Sequence, residues 1–213
     1  MTVGQTRGWE RLWPSLGLDI RSLPAGLVDL DEWFGRSAPV TLEIGPGMGE
    51  TTAALAEAEP EVNYLAVDVY PPGLAQLMMR AETAGLSNLR VMRGDAVVLL
   101  EEHLPAGSLT AVRIYYPDPW PKKKHHKRRL VQPSLVSTVA SRLVPGGTLH
   151  LATDWEHYAE HMLEVCSAEP LLRNRHDGWA PRPSWRPLTK FESRAEVEGR
   201  VSRDLIFERT DGR

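Results

Sequence analysis

Apolar and polar positions alternate along this chain in two periods, taken in turn. Residues 40–45 (VTLEIG) form a short apolar run that predicts a strand, ended by the glycine-rich turn Gly45-Pro46-Gly47-Met48-Gly49 and followed by a helical stretch. Residues 64–69 predict a second strand. After Pro71 and Pro72, apolar residues Leu74, Leu77, Met78 and Ala81 recur at i, i+3, i+4 and i+7, one face of a helix. A third strand (89–95) precedes a helix at 97–103, and a fourth strand covers 109–116. Residues 134–143 read as a helix closed by Pro145-Gly146-Gly147, and 148–154 as a fifth strand. The cleanest helical stripe follows: Trp155, Tyr158, Ala159, Met162, Leu163 and Cys166, a face for the core. Residues 171–175 predict a sixth strand and 204–210 the last. A Pro- and Trp-rich loop, 178–187, and the stretch 189–200 lie between them.

Strands alternating with helices imply parallel pairing and right-handed crossovers. The expected class is α/β, doubly wound, with a mostly parallel seven-stranded sheet. A chain of 213 residues is long enough for a single ordinary domain with a sizeable core. We assign residues 39–213 to that domain. Residues 1–38 read as an arm packed on or beside it, carrying Trp9 and Trp13 without a clear period.

Composition adds bounds. A single cysteine, Cys166, excludes an internal disulfide, gives no cluster of thiol ligands for a metal, and makes a reducing cytoplasm the default. No apolar run approaches the ~20 residues that span a bilayer, so no membrane association is expected. Charge is unevenly placed. Residues 122–129 hold six cations and no acid, so the net charge of −3 for the chain becomes −9 for everything outside that segment. Such a distribution steers a polyanion to one place. The plainer account of the run is a solvated helix face, but its density beside Pro117-Asp118-Pro119-Trp120 favours a phosphate contact.

In a doubly wound sheet, ligands bind beyond the carboxyl ends of the strands. Glu43, Asp68, Asp95, Asp118 and Asp154 each fall at such an end. One such acid is commonly a helix cap. Five on one rim are better explained by a shared site. The turn Gly45-x-Gly47-x-Gly49 departs from the dinucleotide fingerprint, since its third glycine comes one residue early. Glu43 would repel a pyrophosphate and suit an ammonium, while Asp68 would accept from ribose hydroxyls and Asp95 would face an adenine edge. Together they describe a nucleoside with a cationic amino-acid tail, which is S-adenosylmethionine. The prolines on either side of Asp118 fix φ and restrict the acid to few geometries.

The segments EIGPGMGE, GDA, PDPWPKKKHHKRRL, ATDWEHYAE and TKFESRAEVEG resemble those of the bacterial tRNA (guanine-N7-)-methyltransferase family, over nearly the whole chain. The resemblance implies the class I methyltransferase sheet with an antiparallel last strand. It implies transfer of a methyl group from S-adenosylmethionine, leaving S-adenosylhomocysteine, to N7 of guanosine 46 in the tRNA variable loop. By motif position it places cofactor contacts at Glu43, Gly45, Gly47, Asp68, Asp95 and Asp118, with Asp118 also the catalytic residue. Substrate and RNA contacts fall on Lys122, Lys124, His125, His126, Lys127, Arg128, Arg129, Asp154, Thr189, Lys190, Phe191 and Glu192. No metal and no obligatory protein partner are implied. The acid of the second strand is more usually Glu in the family. The chain begins near the family's M-T-x-x-Q segment, so the basic arm of longer members is expected to be lacking.

The residues admit rival readings: an amino-group methyltransferase on another RNA base, a non-catalytic RNA-binding subunit, or a nicotinamide oxidoreductase, the last disfavoured by the glycine spacing and Glu43. Within the first reading, Glu192 or Asp154 would accept from guanine N1–H and its amine. Trp120 and Phe191 would stack on the base, worth about 1–3 kcal/mol per stacked base. Six phosphate contacts would give a salt dependence of roughly −0.7 to −0.9 per contact in log–log slope.

Overall fold

A computed structural model describes residues 1–211, which group into two compact units divided between Pro105 and Ala106. The first unit opens with helix α1 (Val3–Leu16), started by a capping box: Gln5 N donates to Thr2 Oγ1 at 3.2 Å and Thr2 N to Gln5 Oε1 at 2.9 Å. Strand β1 (Gly17–Asp19) and a 3-10 turn (Ile20–Ser22) follow, then α2 (Leu30–Phe34), β2 (Val40–Ile44), α3 (Glu50–Ala58), β3 (Asn63–Asp68), α4 (Pro71–Thr83), β4 (Leu89–Arg93) and the short α5 (Ala96–Val98). The strands are parallel in the order β1-β4-β3-β2. Every residue of β2 is buried, as a parallel strand covered on both faces requires.

Helix α4 starts on Pro71, whose missing N–H is no loss at the first helical position. It buries Leu74, Leu77, Met78 and Ala81, the face that the period predicted. The arm is more structured than its sequence suggested. Trp9 and Trp13 stack with ring centroids 4.0 Å apart and pack, half-buried, on the core around Leu74, Met78 and Leu89.

The second unit contains β5 (Leu109–Tyr115), a 3-10 helix (Lys123–Arg128), α6 (Pro133–Arg142), β6 (Leu143–Thr153), α7 (Glu156–Ser167), β7 (Leu172–Asn174), α8 (Lys190–Val197) and β8 (Arg203–Arg209). Its strand order is β5-β6-β8-β7, with β5 and β6 parallel and β8 antiparallel to both β6 and β7. The seven anticipated strands are all present, with β1 as an eighth among the described residues. Pro145-Gly146-Gly147 does not close a helix. α6 ends at Arg142, and the Pro-Gly-Gly lies inside β6, where pairing with β5 shifts register between Leu109 and Ala111. The stripe on α7 is buried at Tyr158, Ala159, Met162 and Cys166. No helix among the described residues is long and apolar enough to cross a membrane.

Candidate cofactor and nucleic-acid site

In the first unit, the carboxyl ends of β2, β3 and β4 bring together Glu43, the glycine turn, Asp68 and Asp95. Gly45, Gly47 and Gly49 all have positive φ (73°, 59° and 74°), so the turn folds back on itself as side-chain-bearing residues rarely do. Two neighbours set its position. Gly45 N donates to Val67 O at 2.9 Å, and Arg80 of α4 donates to Met48 O at 3.1 Å. Gly73 of α4 lies against the turn so closely that a Cβ there would sit 2.2 Å from Gly47 O.

Glu43 is only 2% exposed and accepts from Thr52 Oγ1 at 2.8 Å. It therefore forms the floor of the turn and is held from α3. Asp68 accepts from Tyr70 N at 2.9 Å. Burial pushes its carboxyl above the ordinary value, against the opposing effect of the Tyr70 and Val69 N–H groups. Asp95 caps α5 through one oxygen, accepting from Val97 N at 2.8 Å, and its other oxygen has no partner among the described residues. A cavity of about 350 Å³ opens here, lined in part by Val69, Gly94, Asp95 and Val98. Apolar side chains at Ile20, Val69 and Val98 with carboxylates at Asp19 and Asp95 suit a purine carrying an exocyclic amine, so these residues fit the nucleoside end of S-adenosylmethionine.

In the second unit, β5 runs into Pro117-Asp118-Pro119. Tyr116 (φ 51°) and Trp120 (φ 42°) on either side are the two non-glycine residues with positive φ among the described residues. Such backbone costs about 1–3 kcal/mol per residue and persists where its surroundings over-determine it. Here the Tyr116 ring stacks on Phe191 at 6.1 Å and its hydroxyl donates to Ser202 at 3.0 Å. Arg128 lies 5.0 Å over the Trp120 ring, and His125 meets that ring edge-on. Asp118 is exposed, with no hydrogen-bond partner among the described residues.

The basic run divides. Lys122, Lys123, Lys124, Lys127 and Arg128 are exposed along or beside the 3-10 helix, which buries nothing. Arg129 is buried, 3% exposed. It donates from Nε to Pro119 O at 2.9 Å and lies 4.7 Å over the Tyr158 ring. The cation expected in the RNA-contacting surface is thus enclosed under the turn, placed to brace it. Burial lowers its pKa, and the neighbouring Tyr158 hydroxyl is pushed up to about 12 by burial. His126 packs on His157 at 4.9 Å, and burial with Arg129 nearby lowers its pKa.

Asp154 accepts from Arg200 Nε at 2.7 Å, beside a cavity of about 490 Å³ lined in part by Trp155, His157 and Val201. Thr189 caps α8 by accepting from Glu192 N at 3.0 Å, and Lys190 and Phe191 stand exposed on that first turn. Glu192 is placed differently from expectation. It is 2% exposed, and both its oxygens are taken by Arg182 and Arg186. A carboxylate so engaged has no acceptor left for a guanine edge unless these pairs open. Burial pushes it up, but the two guanidinium groups outweigh that and hold its pKa below the usual value.

Sequence reasoning missed what lies behind α8. Arg186, fully buried, pairs with Glu192 and also with Asp204 of β8 at 3.0 Å. Asp204 contacts His150 Nε2 at 2.7 Å, and His150 Nδ1 meets the Tyr115 hydroxyl at 2.9 Å. Four elements are tied by one polar chain from β5 to α8. The signal available was an arginine inside an aromatic- and proline-rich loop, which has no period to mark it as interior. Among the described residues, no group of three or more His, Cys, Asp or Glu side chains is arranged to hold a metal ion.

A family model described as "Putative methyltransferase" matches residues 37–205. A tRNA (guanine-N(7)-)-methyltransferase of Streptomyces coelicolor is 53% identical over 211 residues, covering 98% of this chain and 77% of that protein. One from Chromohalobacter salexigens is 49% identical, covering 99% and 86%. Among solved structures, the 16S rRNA (adenine(1408)-N(1))-methyltransferase from Catenulisporales acidiphilia with cosubstrate SAM shares the fold, with a TM-score of 0.61 at 18% identity over 87% of this chain and 93% of that one. With half its residues identical over nearly its whole length, the chain belongs to the tRNA (guanine-N(7)-)-methyltransferase family.

Proposed function

We propose that this protein methylates N7 of guanosine 46 in the variable loop of tRNA, in the cytoplasm, without a metal or an obligatory protein partner. The observation that carries the reading beyond family membership is the second unit's turn: an exposed, unpartnered Asp118, flanked by two strained residues and adjoining a helix of exposed cations.

When bound, S-adenosylmethionine supplies a methyl group on a sulfonium sulfur. Guanine N7 has an in-plane lone pair and carries no proton, so the new N–C bond forms as the S–C bond breaks and no general base is required. Positive charge passes from sulfur to the guanine ring. A carboxylate with no ion-pair partner among the described residues is suited to stabilise that charge and to orient the ring, the role we give Asp118. Glu43 and Asp68 would hold the donor's ammonium and ribose, and Asp95 its adenine. The exposed lysines and Arg128 would neutralise phosphates, and Phe191 and Trp120 would support the base by stacking.

The deciding experiment is methyl transfer from labelled S-adenosylmethionine to unmodified tRNA, with the product digested and mapped. A cationic, alkali-labile 7-methylguanosine at the variable loop is expected. Methyl on an exocyclic amine, or tight tRNA binding without donor affinity, overturns the reading.

A further inference from the structure

The arm passes, beyond its paired tryptophans, along the cavity beside Asp95. β1 pairs in parallel with β4, with Gly17 opposite Val91, Leu18 opposite Met92 and Asp19 opposite Arg93. That register delivers Ile20 to the carboxyl end of β4, where Gly94 and Asp95 begin. The 3-10 turn fixes it there. Asp19 Oδ1 accepts from Arg21 N at 3.0 Å, Ser22 Oγ donates to Asp19 O at 2.8 Å, and the second Asp19 oxygen lies 3.7 Å from Arg93. Ile20 is 4% exposed and packs on Gly94 (φ 150°), where an added Cβ would come within 2.9 Å of Ile20 Cβ. The close approach keeps the arm seated beside Asp95.

The cavity of about 350 Å³ is lined from the arm by Asp19, Ile20 and Arg21, and from the rest of the unit by Val69, Arg93, Gly94, Asp95 and Val98. Its volume lies near the lower end of the ~300–1,000 Å³ range of small-molecule sites. Without the arm, the same floor would be open to water along one edge.

We propose that the arm is a structural part of the donor site: Ile20 forms one apolar wall against the purine ring, opposite Val69 and Val98, and Asp19 joins Asp95 as an acceptor for the ring's exocyclic amine. The inference rests on reading this pocket as the nucleoside end of the S-adenosylmethionine site. It assigns to residues 19–21 a share of cofactor affinity.

The test uses the full chain with S-adenosylhomocysteine and with adenosine. Amide hydrogen exchange on the wild type is expected to show residues 18–22 protected when either ligand binds. Calorimetric titration is expected to show Ile20→Ala weakening both ligands by tenfold or more, Ile20→Val by less than threefold, and tRNA affinity within twofold of wild type. Wild-type binding of S-adenosylhomocysteine with no protection of residues 18–22 would overturn the arm's role, as would Ile20→Ala affinity within twofold of wild type. Exchange on the wild type decides even if Ile20→Ala fails to fold. Absence of any S-adenosylhomocysteine binding by the wild type would instead overturn the donor reading itself.

Discussion

Arg129 Nε donates to the carbonyl oxygen of Pro119 at 2.9 Å, from a position almost closed to solvent. The residue that ends the basic run therefore holds the turn that presents Asp118. Charge and rigidity, adjacent in the sequence, are separated in space by this one bond. A buried guanidinium is costly when, as for Arg129 among the described residues, no acid pairs with it; it is retained here on a carbonyl, an imidazole and an aromatic face.

Arg128 and Arg129 should then behave differently when replaced. Arg128→Ala removes an exposed cation and is expected to lower the salt slope of tRNA binding by about 0.7–0.9 with turnover at saturation retained. Arg129→Ala is expected to leave that slope unchanged while kcat falls tenfold or more. Filter binding across a salt series, with single-turnover rates, distinguishes the two. A reduced slope for Arg129→Ala would return it to the phosphate surface.

Asp118→Ala is expected to reduce turnover by at least a hundredfold while donor and tRNA affinities stay within a few-fold of wild type, because the carboxylate supports no neighbouring side chain among the described residues. Rapid-quench measurement of methyl transfer checks this. Unchanged turnover would remove Asp118 from the chemistry.

Glu192→Gln leaves the buried Arg186 with Asp204 as its carboxylate and takes from the partly exposed Arg182 its charged partner, and a loss of about 1–3 kcal/mol in stability is expected. The sign of its pH dependence is fixed by the lowered carboxyl pKa. The stabilisation is fully present above the ordinary carboxylate value and is lost as pH falls through the folded one. Urea unfolding from pH 7 downwards is expected to show wild type and variant diverging most near neutrality and converging below the ordinary value. A difference independent of pH would mean that packing, not charge, is what Glu192 contributes.

Gly73→Ala separates helix propensity from close approach. In an unconstrained helix the change would add about 0.5–1 kcal/mol of stability. Here the methyl would meet Gly47 O at 2.2 Å, so α4 or the glycine turn must move. Donor affinity is expected to fall tenfold or more by calorimetry, with no gain in thermal stability.

Cys166 should be inert in the native protein. Burial pushes its thiol up to about 12, leaving almost no thiolate at pH 8. Titration with a disulfide reagent is expected to report no reactive thiol before denaturation and one after it.

Hydrophobic period alone made the α/β alternation legible, because strands buried on both faces and helices with one apolar stripe leave different marks. It placed β2 to β8 within a few residues and gave the buried faces of α4 and α7. It failed on the arm, where Pro14 lies inside α1 and the paired tryptophans follow no clear repeat. It also missed that Pro145-Gly146-Gly147 lies inside β6, in the stretch where pairing with β5 shifts register.

For the site, residue chemistry and order along the chain determined the acids at strand ends, the glycine turn and the density of cations after Asp118. Those are local properties, set by which residues stand next to which. What only the tertiary structure decided is which charges are free. Arg129 and Glu192 look like their exposed neighbours in sequence, yet burial turned one into a brace for Pro119 and closed the other between Arg182 and Arg186. Ile20 looks like any apolar residue, until the pairing of β1 with β4 sets it beside Asp95. Solvent access and long-range pairing are properties of the packed chain, and no stretch of sequence contains them.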